Sequence, residues 1–360
     1  MTQRTVTCGP TARGWQSDLK LAFRSPRQLG ETLGLPESMI VAAEAASPKH
    51  FPFLVTRQFA ARMRPGRPDD PLLLQVWPDR NEQGPVAAAA SGFAEDFLGS
   101  DFRDDPNGFQ SDPVGDAEAL AAAGLLHKYR GRVLLVTSGA CAIHCRYCFR
   151  QHFDYSASPR TRSQWQPAVD YVSADPSIRE VILSGGDPLT MVDAKLESLV
   201  AEFSTVPHVR RLRIHTRLPI VLPSRVDDSL ADWLGRCRLS KWVVVHCNHA
   251  AEIDTEVEAA FERLRRSGCT LLNQAVLLSG VNDSAEAQIE LCERLIDCNV
   301  LPYYLNQLDR VSGAERFATS NAKAIAIVES LRHALPGYAV PRLVQEHAGA
   351  PYKTPLQADA

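Results

Sequence analysis

No apolar run in this chain approaches the roughly twenty residues that cross a bilayer. The first residues, MTQRTVTCGPTARGWQ, lack the apolar core of a secretion signal. Charge of one sign is missing as well. The 39 Lys and Arg against 42 Asp and Glu leave a formal charge of −3, which gives no basic surface for nucleic acid. Cysteines do not pair up: there are nine, and all but one cluster are scattered, so reduced thiols are expected in place of a disulfide framework. Internal repeats and low-complexity tracts are absent. What is left is a chain of 360 residues, 45% apolar and 22% charged, long enough for one large domain or two smaller ones. The expectation is a cytoplasmic globular protein.

Residues 15–125 read as helical where they are regular, as in PESMIVAAEAA and EALAAAGLLHKY. Between them lie RPGRPDDP and DDPNGFQSDPVGD, where Pro, Gly and Asp favour turns. From Arg132 the pattern changes. Short β-branched runs recur, VLLVTS, EVILSG, RLRIHT, KWVVVH, TLLNQAVLL and VLPYYL, separated by segments of helical spacing such as DAKLESLVAEF and DTEVEAAFERLRRSG. The last of these begins at a capping Asp254 and stops at Gly268. Alternation of strand and helix means an α/β fold with a parallel sheet. Six such units predict a partial (βα)6 barrel, with a doubly wound sheet as the other possibility. The expected divisions are a mostly helical region over 1–127, the barrel over 128–345 and a tail over 346–360. In either architecture the functional loops follow the C-terminal ends of the strands.

The first of those loops lies in RVLLVTSGACAIHCRYCFRQ, where Cys141, Cys145 and Cys148 stand in a C-x3-C-x2-C spacing with no fourth cysteine near. Three thiolates hold three irons of a [4Fe–4S] cluster and leave one iron open, whereas an electron-transfer cluster is closed by four cysteines. The competing reading is zinc, completed by His144 or His152. Zinc modules carry two spaced ligand pairs, though, and no second pair follows. In HCNH, His246 and Cys247 point to opposite faces if extended, which argues for cofactor contact or packing over a metal site.

The cysteine loop resembles that of the radical S-adenosylmethionine (SAM) enzymes, with Tyr147 as the aromatic residue before the last cysteine. More narrowly, KYRGRVLLVTSGACAIHCRYCFR, IHTRLPIVLPSR, HCNHAAEI, NQAVLLSGVND, PYYLNQLD and the tail EHAGAPYKTP resemble the lysine 2,3-aminomutase family in the same order. The resemblance spans about Lys128 to Pro355. It implies that the open iron binds SAM, whose reductive cleavage yields a deoxyadenosyl radical, and that Ser184, Gly185, Gly186, Asp187, Tyr147 and Gln274 form the SAM site. It also implies pyridoxal phosphate (PLP) held as an imine by Lys353, with Lys128, Tyr129 and Arg132 at its phosphate and Arg217 as a further contact. Arg150 is the implied partner of the substrate carboxylate. Asp309 and Glu346 are the implied partners of a lysine side-chain ammonium, although the family is better known with aspartate at the latter position. The implied activity is conversion of L-lysine to (R)-β-lysine, with a reductant such as flavodoxin or ferredoxin.

One departure concerns the clostridial type, whose subunits share a structural zinc. Ser284 follows GVND where that type has a zinc cysteine. The shorter form resembles the bacterial branch that supplies β-lysine to elongation factor P through a ligase. Two other functions stay open on the residues: a radical SAM enzyme without PLP, and a non-enzymatic iron–sulfur interaction protein.

Overall fold

The computed structural model describes residues 14–48, 50–79, 82, 108–156, 158, 159 and 161–357. The first thirteen residues, and with them most of the N-terminal stretch read above for a secretion signal, lie outside the described residues, as do residues 104–107 of the second turn-rich segment. No helix among the described residues is long and apolar enough to cross a membrane.

Ten strands follow one another in chain order across one sheet. β1 (Leu120–Ala122) and β2 (Leu125–Tyr129) form an antiparallel edge. Six parallel strands follow: β3 (Arg132–Ser138), β4 (Glu180–Gly185), β5 (Arg211–Thr216), β6 (Ser240–Val245), β7 (Cys269–Val276) and β8 (Leu301–Asn306). These are the six runs expected from the sequence. A doubly wound sheet reverses its order midway; this one never reverses, so it winds in one direction as a partial barrel. A seventh parallel strand, β9 (Arg342–Gln345), pairs with β8. The two-residue β10 (Thr354–Pro355) then pairs antiparallel with β9. Curvature brings the ends of the sheet together: Lys128 on β2 lies 3.1 Å from Glu346, the residue after β9.

The helices pack outside the sheet. Asp254 caps Thr255–Arg266 by accepting from the Val257 amide at 3.0 Å, and Gly268, at φ 77°, ends the segment. Val257, Ala260, Phe261 and Leu264 form its buried face, each large side chain worth about 1.5–3 kcal/mol when removed from water. Alternate residues of the strands face inward: Glu180, Ile182 and Ser184 on β4; Arg211, Arg213 and His215 on β5, then Arg217 just beyond it; Leu272, Gln274 and Val276 on β7. A closed barrel fills this space with branched apolar side chains. Here it is lined with charge and holds a cavity of about 670 Å³.

The N-terminal part is helical at Trp15–Lys20, Pro26–Leu33, Glu37–Ala46, Arg57–Ala60 and Pro71–Leu74, which includes the expected PESMIVAAEAA helix. EALAAAGLLHKY is not a helix, however; it is the β1–β2 hairpin. Gly124 takes φ 67° at its turn, and a Cβ there would stand 2.6 Å from Pro159. Leu125 and Leu126 are both buried against β3. Alanine-rich helix propensity loses here to a left-handed glycine and tertiary packing.

Candidate active site

Cys141, Cys145 and Cys148 all line the cavity. Their loop is held from outside the barrel. His144 Nδ1 meets the Pro52 carbonyl at 2.6 Å, and buried Arg146 donates to Glu82 through Nε at 2.9 Å. His152 Nε2 stands 3.0 Å from the Ser312 carbonyl, and neither histidine lines the cavity that the cysteines face. Among the described residues no three His, Cys, Asp or Glu converge as ligands of one ion. Burial pushes the Cys141 thiol well up, aided by Cys148, Asp187 and Cys145, and pushes Cys148 up to about 12. Such thiols become thiolates only against a concentrated positive charge. An iron–sulfur core supplies that, so the residues present fit the group.

Gly185 and Gly186 brace the stem of this loop. A Cβ on Gly185, at φ 130°, would stand 2.4 Å from the Ser138 carbonyl oxygen; one on Gly186 would stand 2.5 Å from that of Ala140. Only glycine permits this approach. The Gly186 amide donates to Ser138 at 2.6 Å and the Asp187 amide to Ala140 at 2.8 Å. Asp187 is itself enclosed, accepting from Thr216 Oγ1 at 2.8 Å and the Arg217 amide at 2.6 Å. Burial pushes its carboxyl up to about 6.

Arg217 lies with the cysteines and not with Lys128, Tyr129 and Arg132. Its Nη1 donates to Cys145 Sγ and to Tyr147 Oη, each at 2.7 Å. Its Nη2 donates to Gln75 Oε1 at 2.7 Å and Glu252 Oε2 at 3.1 Å. Glu252 also accepts from Gln75 Nε2 and the Asn248 amide. Tyr147 Oη lies 2.8 Å from His246 Nε2, and burial together with Arg217 lowers that imidazole to about 3. Cys247 points the other way, into the apolar core.

At the far end, Lys353 Nζ donates to Glu346 Oε2 at 2.6 Å and Asn306 Oδ1 at 3.2 Å. Lys128 meets Glu346 Oε1 at 3.1 Å and Asp116 Oδ1 at 2.6 Å. Asp116 Oδ2 in turn accepts from Arg150 Nε at 2.7 Å, and Arg150 Nη1 donates to Ser184 Oγ at 3.2 Å. Burial alone would raise the Glu346 carboxyl, but Lys353 and Lys128 hold it below its usual range. Tyr129 bonds to Glu346, and the Arg132 guanidinium stacks 4.6 Å over its ring. Asp309 lines the same cavity, and burial pushes its carboxyl up to about 7 against the pull of Lys353.

Every site residue inferred from the sequence lines this cavity. The sequence reading missed Gln75, Glu82 and Asp116, which arrive from the N-terminal part, and Glu252 and Asn306. Asn306, within PYYLNQLD, and Glu252, within HCNHAAEI, stood in motifs that name the site; Gln75, Glu82 and Asp116 did not. His215, within IHTRLPIVLPSR, was missed too: it faces the cavity with a buried Nε2 that has no partner among the described residues.

Residues 130–211 match the 4Fe–4S single cluster domain. The chain is 40% identical over 347 residues to L-lysine 2,3-aminomutase of Escherichia coli (strain K12), covering 96% of this chain and 95% of that one. It is 41% identical over 342 residues to the L-lysine 2,3-aminomutase of Haemophilus influenzae, with 95% of each covered. Against that of Clostridium subterminale the identity is 35% over 303 residues, covering 84% of this chain and 68% of the relative. A one-way wound partial barrel with a three-cysteine loop after its first parallel strand defines a radical SAM enzyme. Within that class, the chain belongs to the lysine 2,3-aminomutase family of isomerases.

Proposed function

We propose that this chain converts L-lysine to (R)-β-lysine by moving the α-amino group to the β-carbon, and that the product serves in modifying elongation factor P through a separate ligase. The observation that carries the reading is that Lys353 and all three cysteines open onto one cavity of about 670 Å³, a size suited to small organic ligands. When bound, the cluster and SAM supply an organic radical that removes hydrogen, while PLP supplies the conjugated ring that carries nitrogen through the shift.

In this reading Cys141, Cys145 and Cys148 hold three irons and leave the fourth to SAM, beside Tyr147, Ser184 to Asp187 and Gln274. Lys128, Tyr129 and Arg132 take the PLP phosphate, two cations and a phenol suited to that anion. Arg150 takes the substrate carboxylate by its guanidinium fork, for which its Nε bond to Asp116 must be shared or released. Asp309 and Glu346 receive the side-chain ammonium. Lys353 is the amine that anchors PLP, and Glu346, 2.6 Å from its Nζ, orients it toward the cavity. The tail, described over 346–357 of the expected 346–360, excludes water from the mouth of the 128–345 barrel, and the part before Lys128 supports the cysteine loop from outside. An external protein such as flavodoxin or ferredoxin delivers the electron.

The test is anaerobic reconstitution with iron, sulfide, PLP, SAM and a reductant, followed by chiral chromatography of the lysine products. β-Lysine of R configuration is the expected product. Cleavage of SAM with no β-lysine formed would overturn the reading.

A further inference from the structure

Arg217 and Glu252 form an ion pair at 3.1 Å in which Glu252 is fully buried. The pair has a direction. Arg217 turns Nη1 toward Cys145 Sγ and Nη2 toward Glu252, so the cation stands between the thiol and the carboxylate. The carboxylate is fixed from behind by Gln75 Nε2 at 2.9 Å and the Asn248 amide at 3.0 Å. Nothing about holding a cluster requires a guanidinium here: three thiolates suffice as ligands. A buried arginine that spends one nitrogen on a ligand sulfur therefore has a task beyond ligation.

Resting on the reading of Cys145 as a cluster ligand, we propose that Arg217 and Glu252 together set the reduction potential of the cluster, the arginine raising it and the glutamate restraining that rise. Hydrogen bonds to ligand sulfurs and local net charge are two of the levers that fix such potentials. Reduction adds negative charge, so a nearby cation favours the reduced state and a nearby anion opposes it. Guanidinium is charged at any working pH, and in a buried site its influence is little screened. A cluster that must reduce SAM cannot be made too easy to reduce, because it then becomes a weak donor. Arg217 alone would push it that way, and Glu252, on the far side of the guanidinium, offsets part of the effect. The N-terminal part thus contributes to the electron transfer step through Gln75, a positioning residue that orients both members of the pair.

The test is an EPR-monitored redox titration of the reconstituted full-length protein without SAM, comparing the unsubstituted chain with Glu252→Gln, Arg217→Met and Arg217→Lys. Glu252→Gln is expected to shift the one-electron equilibrium toward the reduced cluster by up to about tenfold, equivalent to 59 mV. Arg217→Met is expected to shift it the opposite way. Arg217→Lys keeps the charge and should fall between Arg217→Met and the unsubstituted chain. Pulsed EPR in D2O should further reveal an exchangeable proton near a ligand sulfur that Arg217→Met lacks. Shifts of the same sign in Glu252→Gln and Arg217→Met, or no shift in either, would overturn the proposal and leave the network a matter of stability alone. Should Arg217→Met hold no cluster, the ordering of Arg217→Lys below and Glu252→Gln above the unsubstituted chain decides in its favour, and any other ordering decides against it. Failure of the unsubstituted chain to assemble a reducible cluster is the separate result that would overturn the reading of the cysteine loop itself.

Discussion

Around Cys145 the side chains of Gln75, Arg217, Asn248 and Glu252 are buried and bonded to one another from three stretches of chain. Around Lys353 the contacts are between charges that keep some water: the side chains of Lys353 and Glu346 are 24% and 14% exposed. One end of the cavity is a closed hydrogen-bonded lattice that admits little rearrangement. The other is a chain of ion pairs, Arg150 to Asp116 to Lys128 to Glu346 to Lys353, in which carboxylates of the protein occupy cations assigned to ligands. An anion that enters must take the place of a carboxylate in such a pair, because a buried cation left without a partner is costly. The difference matches what each end must do: hold a reactive metal group still, or let small molecules come and go.

The largest effect that would sharpen this contrast comes from Cys145→Ala. It should abolish cluster assembly and turnover while far-UV circular dichroism stays native; iron analysis checks the first and turnover of lysine the second. Normal turnover would break the assignment of the cysteine end. Lys353→Ala should remove the borohydride-sensitive imine absorbance altogether and leave iron content unchanged. An unaltered absorbance would mean that another lysine anchors PLP.

Asp309→Asn should act on binding and stability in opposite senses. Loss of a hydrogen bond to a charged partner, about 1.5–3 kcal/mol, predicts lysine affinity lower by roughly tenfold or more at pH 8. Burial raises the folded-state carboxyl to about 7, above its ordinary value of 3.8. Between those values the native chain binds more protons than the unfolded one, so this group's contribution falls as pH rises from about 4 to 7. Above pH 7 the asparagine variant should accordingly unfold at higher temperature than the parent, with the advantage vanishing near pH 4. Calorimetry at the two pH values checks this, and a variant less stable at pH 8 would refute the buried-charge argument. The smallest effect is expected of Gly124→Ala. Left-handed backbone costs a side chain about 1–2 kcal/mol, and the Cβ would meet Pro159. A modest fall in melting temperature with cluster content unchanged is the expected result.

Much of the barrel could be read from the chain because its strands are local runs in sequential order, each followed by a helix with visible caps. The cysteine loop was legible for the same reason: its three ligands lie within eight residues. The hairpin was not, because EALAAAG carries helical residue types and only the packing of Leu125, Leu126 and Gly124 reveals its true state. Asp116, Gln75 and Glu82 were illegible for a different reason. A lone Asp, Gln or Glu in a loop or short helix is ordinarily a solvated residue, and nothing local marks one that will meet Arg150, Glu252 or Arg146 after folding. β9 escaped notice because RLVQ is too short to display alternation. Arg217 was found but its bonds to Cys145, Gln75 and Glu252 were not, since a motif gives position along the chain and not direction of the side chain.

The strands next to the two edges of the sheet, β2 and β9, are linked through Lys128 and Glu346, with no ladder of backbone hydrogen bonds joining them. A cylinder fastened in this way has a seam, and the fastening is ionic. Such a join rests on charge, where the ladders between strands rest on backbone hydrogen bonds, so added salt acts on it before it acts on the strands.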